Sequence, residues 1–173
     1  NSILEYITDS VILYKDAIYK QVNNIYMDES ATLIYSDGIT SGWSKEGEEF
    51  QYSNVQLKTK VYVNNKIVLL DNLLVNPRED DVTKLGFFEG YQNFGTLLVI
   101  NKNINVEVIE ELRNNIKNSN LPIYFGISEL EVNGFVLRVL GNLTQNIESA
   151  IKLCHNFIRK KFLNSKELSI RKY

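Results

Sequence analysis

The most regular pattern in the chain is an alternation of apolar and polar residues from Val55 to Val63. A period of two places the apolar side chains on one face of a β-strand, so one face of this segment is predicted to be buried. Asn64-Asn65 follows, and asparagine tolerates the positive φ angles that a two-residue hairpin turn requires. A second apolar-rich run then returns from Lys66 to Val75. The sequence therefore predicts a β-hairpin.

The N-terminal part of the chain is rich in β-branched and aromatic apolar residues, a bias that favours strands over helices. The bias extends from Ile3 to Ile39, and Asp28-Glu29-Ser30 interrupts it with a predicted turn. A further short buried strand is predicted from Thr96 to Ile100. We therefore expect mainly β-structure ahead of residue 100.

The first of two predicted helices begins after Asn105, a suitable N-cap residue. Ile109, Leu112 and Ile116 follow at helical spacing and fall on one face. Residues 123–130 and 135–140 are then predicted to pair as strands around Asn133-Gly134, a favoured hairpin turn.

The second predicted helix begins at Asn142 or Thr144, where Asn142-Leu143-Thr144 is interpreted as its cap. Its apolar positions recur on one face, which predicts that this face is buried. The residues of this apolar stripe are Ile147, Ala150, Ile151, Cys154 and Ile158.

The segment of residues 37–52 lies between the N-terminal β-rich region and the predicted hairpin. Its sequence is DGITSGWSKEGEEFQY. Its three glycines allow backbone conformations that a Cβ would penalise, so the segment is predicted to be a shaped loop. Four carboxylates crowd into it, at Asp37, Glu46, Glu48 and Glu49. Such crowding raises carboxylate pKa values or recruits a cation or a basic partner unless the groups are fully solvated, and a solvated acidic turn is the favoured interpretation.

Composition and charge narrow the class of protein. The 173 residues are 44% hydrophobic and 23% charged, which suits one globular domain. A formal net charge of −2 argues against a nucleic-acid-binding protein, which needs clustered lysine and arginine. The sequence contains no apolar run long enough to span a bilayer, and a single cysteine indicates no internal disulfide. A cytoplasmic location is therefore expected.

The sequence offers few residues for nucleophilic catalysis. Cys154 and His155 are the only residues of their types and are adjacent on a predicted helix, so their side chains diverge by about 100°. They therefore cannot form a Cys–His nucleophilic pair. A carboxylate-dependent glycoside hydrolase, with Asp37 and Glu48 near the aromatic ring of Trp43, stays open as an alternative.

Four motifs in order give the chain a family resemblance. Asp37, Gly42 and the run Gly47-Glu48-Glu49-Phe50-Gln51-Tyr52 resemble the signature of the urease accessory protein UreD family, also called UreH. The segment from Leu4 to Asp9 resembles the family strand before this signature. The remaining two motifs are the stretches from Asp71 to Pro77 and from Gly134 to Gly141, which includes Arg138. Trp43 stands where many members have arginine.

The resemblance implies a largely β fold of stacked, solenoid-like sheets with two α-helices toward the C-terminus. It also implies a non-catalytic scaffold or metallochaperone that binds the urease apoprotein together with UreF and the GTPase UreG and assists nickel insertion. A β-rich structural or adhesion module without a metal role is the alternative, but it does not explain the four ordered motifs.

For nickel, the resemblance implies transient passage and no tightly bound cofactor. Oxygen ligands suit an ion that must be handed onward better than histidine or cysteine. Asp37, Glu48 and Asp9 are the acids that best match the family. A structural hydrogen-bond role fits Glu48 equally well and is favoured for Asp37 and Asp9.

The resemblance further implies that residues 1–173 form a single UreD-like domain corresponding to the C-terminal two thirds of a typical member, truncated at the N-terminus. Because partner surfaces are anchored by aromatic side chains, Phe88 and Tyr91 are expected to be exposed partner contacts. Arg138 interrupts an apolar run, so it is expected either on the opposite face of its strand or paired with a buried carboxylate.

Overall fold

The computed structural model describes residues 2–168, which form eight strands and two helices. The strands are β1 (Ile3–Ile7), β2 (Ile18–Met27), β3 (Thr32–Thr40), β4 (Asn54–Val63), β5 (Lys66–Val75), β6 (Asn93–Ile100), β7 (Ile123–Glu129) and β8 (Gly134–Gly141). The helices are α1 (Val106–Asn118), between β6 and β7, and α2 (Thr144–Phe162), after β8. The predicted fold class, mainly β with two helices toward the C-terminus, is confirmed.

The strands form two separate sheets. The larger sheet has the order β1-β3-β6-β8-β7, and the smaller has the order β2-β4-β5. β1 pairs with β3 and β2 with β4 in parallel, while the other neighbours are antiparallel. Since β2 lies between β1 and β3 in the sequence but joins the other sheet, the N-terminal part of the chain contributes strands to both sheets.

The two sheets and the helices form three layers. One face of the five-stranded sheet packs under α1 and α2, where Ile34, Leu97 and Phe135 meet the helix residues Leu112 and Cys154. The opposite face packs on the three-stranded sheet in two further apolar clusters. Solenoid-like stacking is not confirmed, because the sheets of the described residues pack face to face around these clusters.

The predicted hairpin is confirmed. β4 and β5 are joined by Asn64 and Asn65, whose φ angles are 48° and 65°, as a type I′ turn requires. Along β4 every second residue is buried, which is the alternation seen in the sequence. The inward face of β4 therefore belongs to the layer between the sheets.

Both helices bury the apolar faces that the sequence predicted. Only α1 has the predicted N-cap. The Asn105 side chain accepts a hydrogen bond from the Val108 amide at the start of α1. At the start of α2 the cap residue is Leu143, which has no side-chain acceptor, and the Thr144 hydroxyl donates to Asn93 instead. The predicted polar cap is therefore wrong, since a tertiary contact satisfies the hydroxyl.

The strand pair β7–β8 is confirmed, but its predicted turn is not. Gly134 is already in β8, and its carbonyl accepts from the Leu130 amide, so residues 130–133 form the connection. Asn133 donates from its side chain to the Ile104 carbonyl, and this ties the loop to the start of α1.

Candidate functional site

A row of polar side chains crosses the otherwise apolar space between the two sheets. On the five-stranded sheet, Asp37, Thr96 and Arg138 occupy neighbouring positions in register on β3, β6 and β8. On the three-stranded sheet, the corresponding row is Asn23, Thr59 and Asp71 on β2, β4 and β5. Together with Tyr35, which joins the two rows, we call these residues the polar layer.

Tyr35 is the hydrogen-bonding centre of the polar layer. Its hydroxyl donates to Asp37 Oδ2 at 2.9 Å and accepts from Asn23 Nδ2 at 2.7 Å. The residue is 4% exposed, and burial raises the pKa of its phenol, with the negative charge of Asp37 acting in the same direction. Tyr35 therefore stays protonated and fixes the Asp37 carboxyl between the sheets.

Asp37 is an acid in an unfavourable environment. Burial raises the pKa of its carboxyl to about 6; the Tyr35 hydrogen bond and the charge of Arg138 act against the increase, and the charge of Asp71 adds to it. A carboxylate with so little compensation near neutral pH attracts a proton or a cation. The Asp37 carboxyl therefore binds a proton more readily than a surface aspartate does.

Arg138 and Asp71 form the outer end of the polar layer. Arg138 Nη2 donates to Asp71 Oδ1 at 3.0 Å, and the two side chains are 44% and 25% exposed. Both line a cleft of about 300 Å³ between β5 and Phe87-Phe88. Solvent therefore reaches one end of the polar layer, while Asp37 lies further inside.

Thr96 lies between Asp37 and Arg138 in register and is 3% exposed. Its Oγ1 is one of two buried side-chain polar atoms without a hydrogen-bond partner in the part of the chain that the structure describes, the other being the Tyr52 hydroxyl. Buried polar atoms without a partner are rare and require an explanation. The Thr96 hydroxyl is therefore an unpaired polar group in the middle of the row on the five-stranded sheet.

The comparisons with known proteins decide the family. The model of the UreD urease accessory protein family matches residues 1–172. The chain belongs to the UreD family. It is 41% identical to a urease accessory protein UreD of Ureaplasma urealyticum, over 99% of this chain and 61% of that protein. It is 40% identical to the UreD of Bacillus cereus, over 100% of this chain and 63% of that protein. It is 39% identical to a Streptococcus thermophilus UreD, over 99% of this chain and 62% of that protein.

The chain therefore spans about three fifths of the length of these UreD relatives. None of the helices formed by residues 2–168 is both long and apolar enough to cross a membrane.

Only some of the residues in the UreD-like motifs lie in the polar layer. Asp37, Asp71 and Arg138 come together there. Glu48 is exposed in the loop after β3, and its carbonyl accepts from the Ser44 hydroxyl. Asp9, also exposed, follows β1. No set of three metal-ligating His, Cys, Asp or Glu side chains is found within residues 2–168, so Asp9, Asp37 and Glu48 do not form one site.

The favoured interpretation of residues 37–52 as a solvated acidic turn is confirmed for its three glutamates, but Asp37 does not belong to that turn. Asp37 lies inside β3 and faces the polar layer, whereas Glu46, Glu48 and Glu49 are exposed in the following loop. Glu46 pairs with Lys15 at 3.8 Å. This arrangement also gives no support to a glycoside hydrolase, which requires two facing acids beside the substrate.

The loop from residue 41 to 53 of the UreD signature shapes the end of the layer between the sheets. Gly42 and Gly47 have φ angles of 89° and 76°, as predicted for a shaped loop. Gly38 lies in β3, and a Cβ there would approach the Phe94 carbonyl to 2.5 Å, so close strand approach and not a turn requires that glycine. Phe50 is buried and packs edge-to-face on Phe88. Pro77, the last residue of the motif that begins at Asp71, is half-buried two residues after the end of β5.

The predicted exposure of Phe88 is wrong. Phe88 is 2% exposed and belongs to the apolar cluster under the signature loop, so its ring stabilises the fold and is not available to a partner. Tyr91 is half-buried against the same cluster. The exposed apolar side chains of this segment are Leu85 and Phe87. The sequence did not distinguish them, because a stretch without periodicity gives no inward face.

A buried charged cluster was missed in the sequence. Glu5 on β1 accepts hydrogen bonds from Arg159 and is paired with His155, both on α2. The His155 side chain is 4% exposed and that of Arg159 is 14% exposed. The spacing of four residues places His155 and Arg159 on one helical face beside the apolar stripe, and this spacing is the signal that could have shown the cluster.

Cys154 is fully buried, as predicted, and burial raises the pKa of its thiol to about 12.

Proposed function

We propose that this chain is a urease accessory protein that acts as a non-catalytic scaffold. In this role it binds the urease apoprotein together with UreF and UreG in the cytoplasm and assists nickel insertion into urease. The observation that carries the proposal is the UreD family match along residues 1–172. The alternative of a β-rich adhesion module has no comparable support.

Nickel is the cargo in this proposal, and the polar layer supplies its path. Asp37, Asp71 and the unpartnered Thr96 hydroxyl provide oxygen atoms without a histidine or cysteine among them. Oxygen ligands of this type bind Ni²⁺ more weakly than imidazole or thiolate ligands, which suits transfer and does not suit storage. Glu48 and Asp9, both exposed, would contribute only at the surface of the protein.

The path is tested at Asp37. Asp37→Asn keeps the shape of the side chain and removes its charge. The variant should still assemble with UreF, UreG and the urease apoprotein, but bound nickel and urease activity should fall, and excess nickel should partly restore both. Complex yield, nickel content and activity are measured on the same preparations. Asp81→Asn, on the exposed loop after β5, is the matched control.

Normal nickel loading in an intact Asp37→Asn complex would remove the polar layer from the path. Loss of complex together with loss of activity, without rescue by nickel, would assign Asp37 to folding alone.

Glu48→Gln tests the contribution of the exposed signature loop. If Glu48 helps to capture nickel, bound nickel and activity should fall with an unchanged complex yield, and by less than in Asp37→Asn, because a solvated charge acts weakly. Full nickel loading of Glu48→Gln would limit this residue to its place in the loop.

A further inference from the structure

The outward face of the three-stranded sheet carries a regular chemical pattern. Each of three successive rows across β2, β4 and β5 places one lysine, one amide side chain and one aliphatic side chain next to each other. The rows are Lys20 with Gln56 and Leu74, Val22 with Lys58 and Asn72, and Asn24 with Lys60 and Leu70. A fourth row at the end of the sheet contains Tyr26, Tyr62 and Ile67. We call the residues of these four rows the outer sheet face.

The charge of the outer sheet face has one sign. Lys20, Lys58 and Lys60 lie on it, and no aspartate or glutamate does. None of these three lysines forms an ion pair with another residue in the range 2–168. The formal net charge of the whole chain is −2, so this excess of positive charge is a local feature. Three ammonium groups therefore face outward without a carboxylate partner from the described residues.

The apolar side chains of the outer sheet face form a continuous surface with the lysines. Val22, Leu70 and Leu74 are about half exposed, and Tyr26 is 69% exposed. The Tyr26 ring stacks on the Tyr62 ring with the two centroids 4.7 Å apart. Single exposed apolar residues are ordinary on a protein surface, but contiguous ones mark interaction sites. An aliphatic or aromatic side chain in every row therefore indicates a surface that is covered by a partner.

We infer that the outer sheet face binds an acidic, partly apolar surface of another protein in the urease complex. This inference rests on the proposed scaffold function. Rows of the face are about 7 Å apart, because alternate residues of a strand point to the same side. Carboxylates of the partner would pair with the lysines, and its apolar side chains would cover the aliphatic ones and exclude water from these pairs.

The pattern of the face favours a protein of different charge over a second copy of this chain. A symmetric contact between two copies would bring each outer sheet face against the same face of the other copy. Lysines would then lie opposite lysines, and like charges in an interface cost several kcal/mol. The occupant must therefore supply the negative charge that this face lacks.

The amide side chains favour a protein over an anionic membrane. Gln56, Asn72 and Asn24 place one amide group in each lysine-bearing row. A protein surface offers hydrogen-bond partners to these amides, whereas the acyl chains of a membrane offer none. The Gln56 amide donates to Asn72 at 2.8 Å, which shows that the amides of adjacent rows lie close enough to form a hydrogen-bonding strip across the face.

The inference is tested by measuring the binding of the purified full chain to urease apoprotein, UreF and UreG, each immobilised separately, over a series of NaCl concentrations. The unchanged chain should bind at least one of the three with a Kd that rises with salt. Lys58→Glu combined with Lys60→Glu should raise that Kd at least about tenfold at low salt, because it replaces attraction by repulsion. The difference should shrink at high salt.

The matched control is Lys102→Glu combined with Lys117→Glu, which changes the net charge equally at exposed positions on and before α1. It should bind as the unchanged chain does. Leu70→Gln tests the apolar part of the face and should raise the Kd at least about threefold without changing its salt dependence. Lys20→Glu replaces the double variant if circular dichroism shows that the double variant does not fold.

Two results would overturn the inference. Lysines on an exposed sheet also protect it from aggregation, and glutamates would do so equally well. If that is their only role, a folded Lys58→Glu and Lys60→Glu variant would bind all three proteins with an unchanged Kd. Loss of binding to vesicles that contain phosphatidylserine, with binding to the three proteins unaffected, would assign the face to a membrane instead.

These results are distinguishable from a failure of the proposed function. If the unchanged chain binds none of the three proteins, the scaffold function is rejected and the inference with it. If the unchanged chain binds one of them and the lysine variants bind it equally well, the scaffold function stands and the contact lies on another surface.

Discussion

Asp37 shows how the surroundings of a single residue change its affinity for a proton. Its carboxyl is placed in a strand between two apolar clusters, where an ionised acid is costly. Tyr35 donates one hydrogen bond to it, and Arg138 contributes charge only from the solvent end of the polar layer. The compensation is incomplete, so the residue keeps an affinity for protons that a surface aspartate lacks.

This affinity predicts a specific dependence of stability on pH. The pKa of Asp37 is raised from 3.8 to about 6 in the folded protein. The contribution of Asp37 to the free energy of unfolding is therefore most favourable below pH 3.8, where its carboxyl is protonated in both states, and it is lost as the pH rises through 6. Between pH 4 and 6 the loss should reach about 2–3 kcal/mol. Asp37→Asn should remove this loss, so its free energy of unfolding relative to the original protein should rise across that window. Urea denaturation at a series of pH values measures it.

If the free energy of unfolding changed equally with pH in the original protein and in Asp37→Asn, the raised pKa of Asp37 would be contradicted. Asp80→Asn, at an exposed loop position after β5, controls for the general effect of removing one negative charge.

At the scale of elements, β1 depends on contacts outside its own sheet. It pairs only with β3, and much of its surface is exposed. The Glu5 link to His155 and Arg159 joins it to α2 across the edge of the sheet. Burial alone would raise the pKa of Glu5, but the hydrogen bonds from these two residues outweigh it and the pKa is lowered.

Weakening this link should be costly, because glutamine at position 5 has no charge and only one acceptor oxygen for the buried Arg159 and His155. Glu5→Gln should lower the free energy of unfolding by about 2–4 kcal/mol. Glu107→Gln, on the exposed start of α1, should change it by less than about 1 kcal/mol. Chemical denaturation compares the two, and a similar small change in both would show that the cluster contributes nothing to holding β1.

The elements show what the sequence can and cannot predict. The β4–β5 hairpin and the helix faces were predictable, because a period of two or of 3.6 and a turn residue are local signals. The meeting of Asp37, Asp71 and Arg138 was not, although all three were named as motif residues, since it depends on how two sheets pack. Phe88 was misjudged for the same reason: only the tertiary position of the loop makes it a core residue.

At the scale of the whole molecule, the three layers differ in how much of their surface is shielded from solvent. β6 and β8 lie inside the five-stranded sheet with apolar clusters on both faces. The three-stranded sheet has β2 and β5 as its outer strands, and its outward face is exposed. Large apolar side chains on that exposed face include Ile18, Val22, Tyr26, Leu70 and Leu74. The smaller sheet is held by packing, by the hydrogen bond that Asn23 donates to the Tyr35 hydroxyl, and by the Arg138–Asp71 pair.

This architecture predicts that the smaller sheet opens before the rest of the molecule. In native-state hydrogen exchange, amides of β6 and β8 should exchange most slowly, and those of β2 and β5 several-fold faster, because local opening follows the elements with the fewest buried contacts. Tyr35→Phe removes the hydroxyl that joins the polar layer, so it should speed exchange in β2 and β4 and leave α1 and β7 unchanged. Tyr124→Phe, at an exposed tyrosine on β7, is the control. If exchange in Tyr35→Phe rises equally in all layers, the hydroxyl supports global stability only, and the two sheets separate no earlier than the protein unfolds.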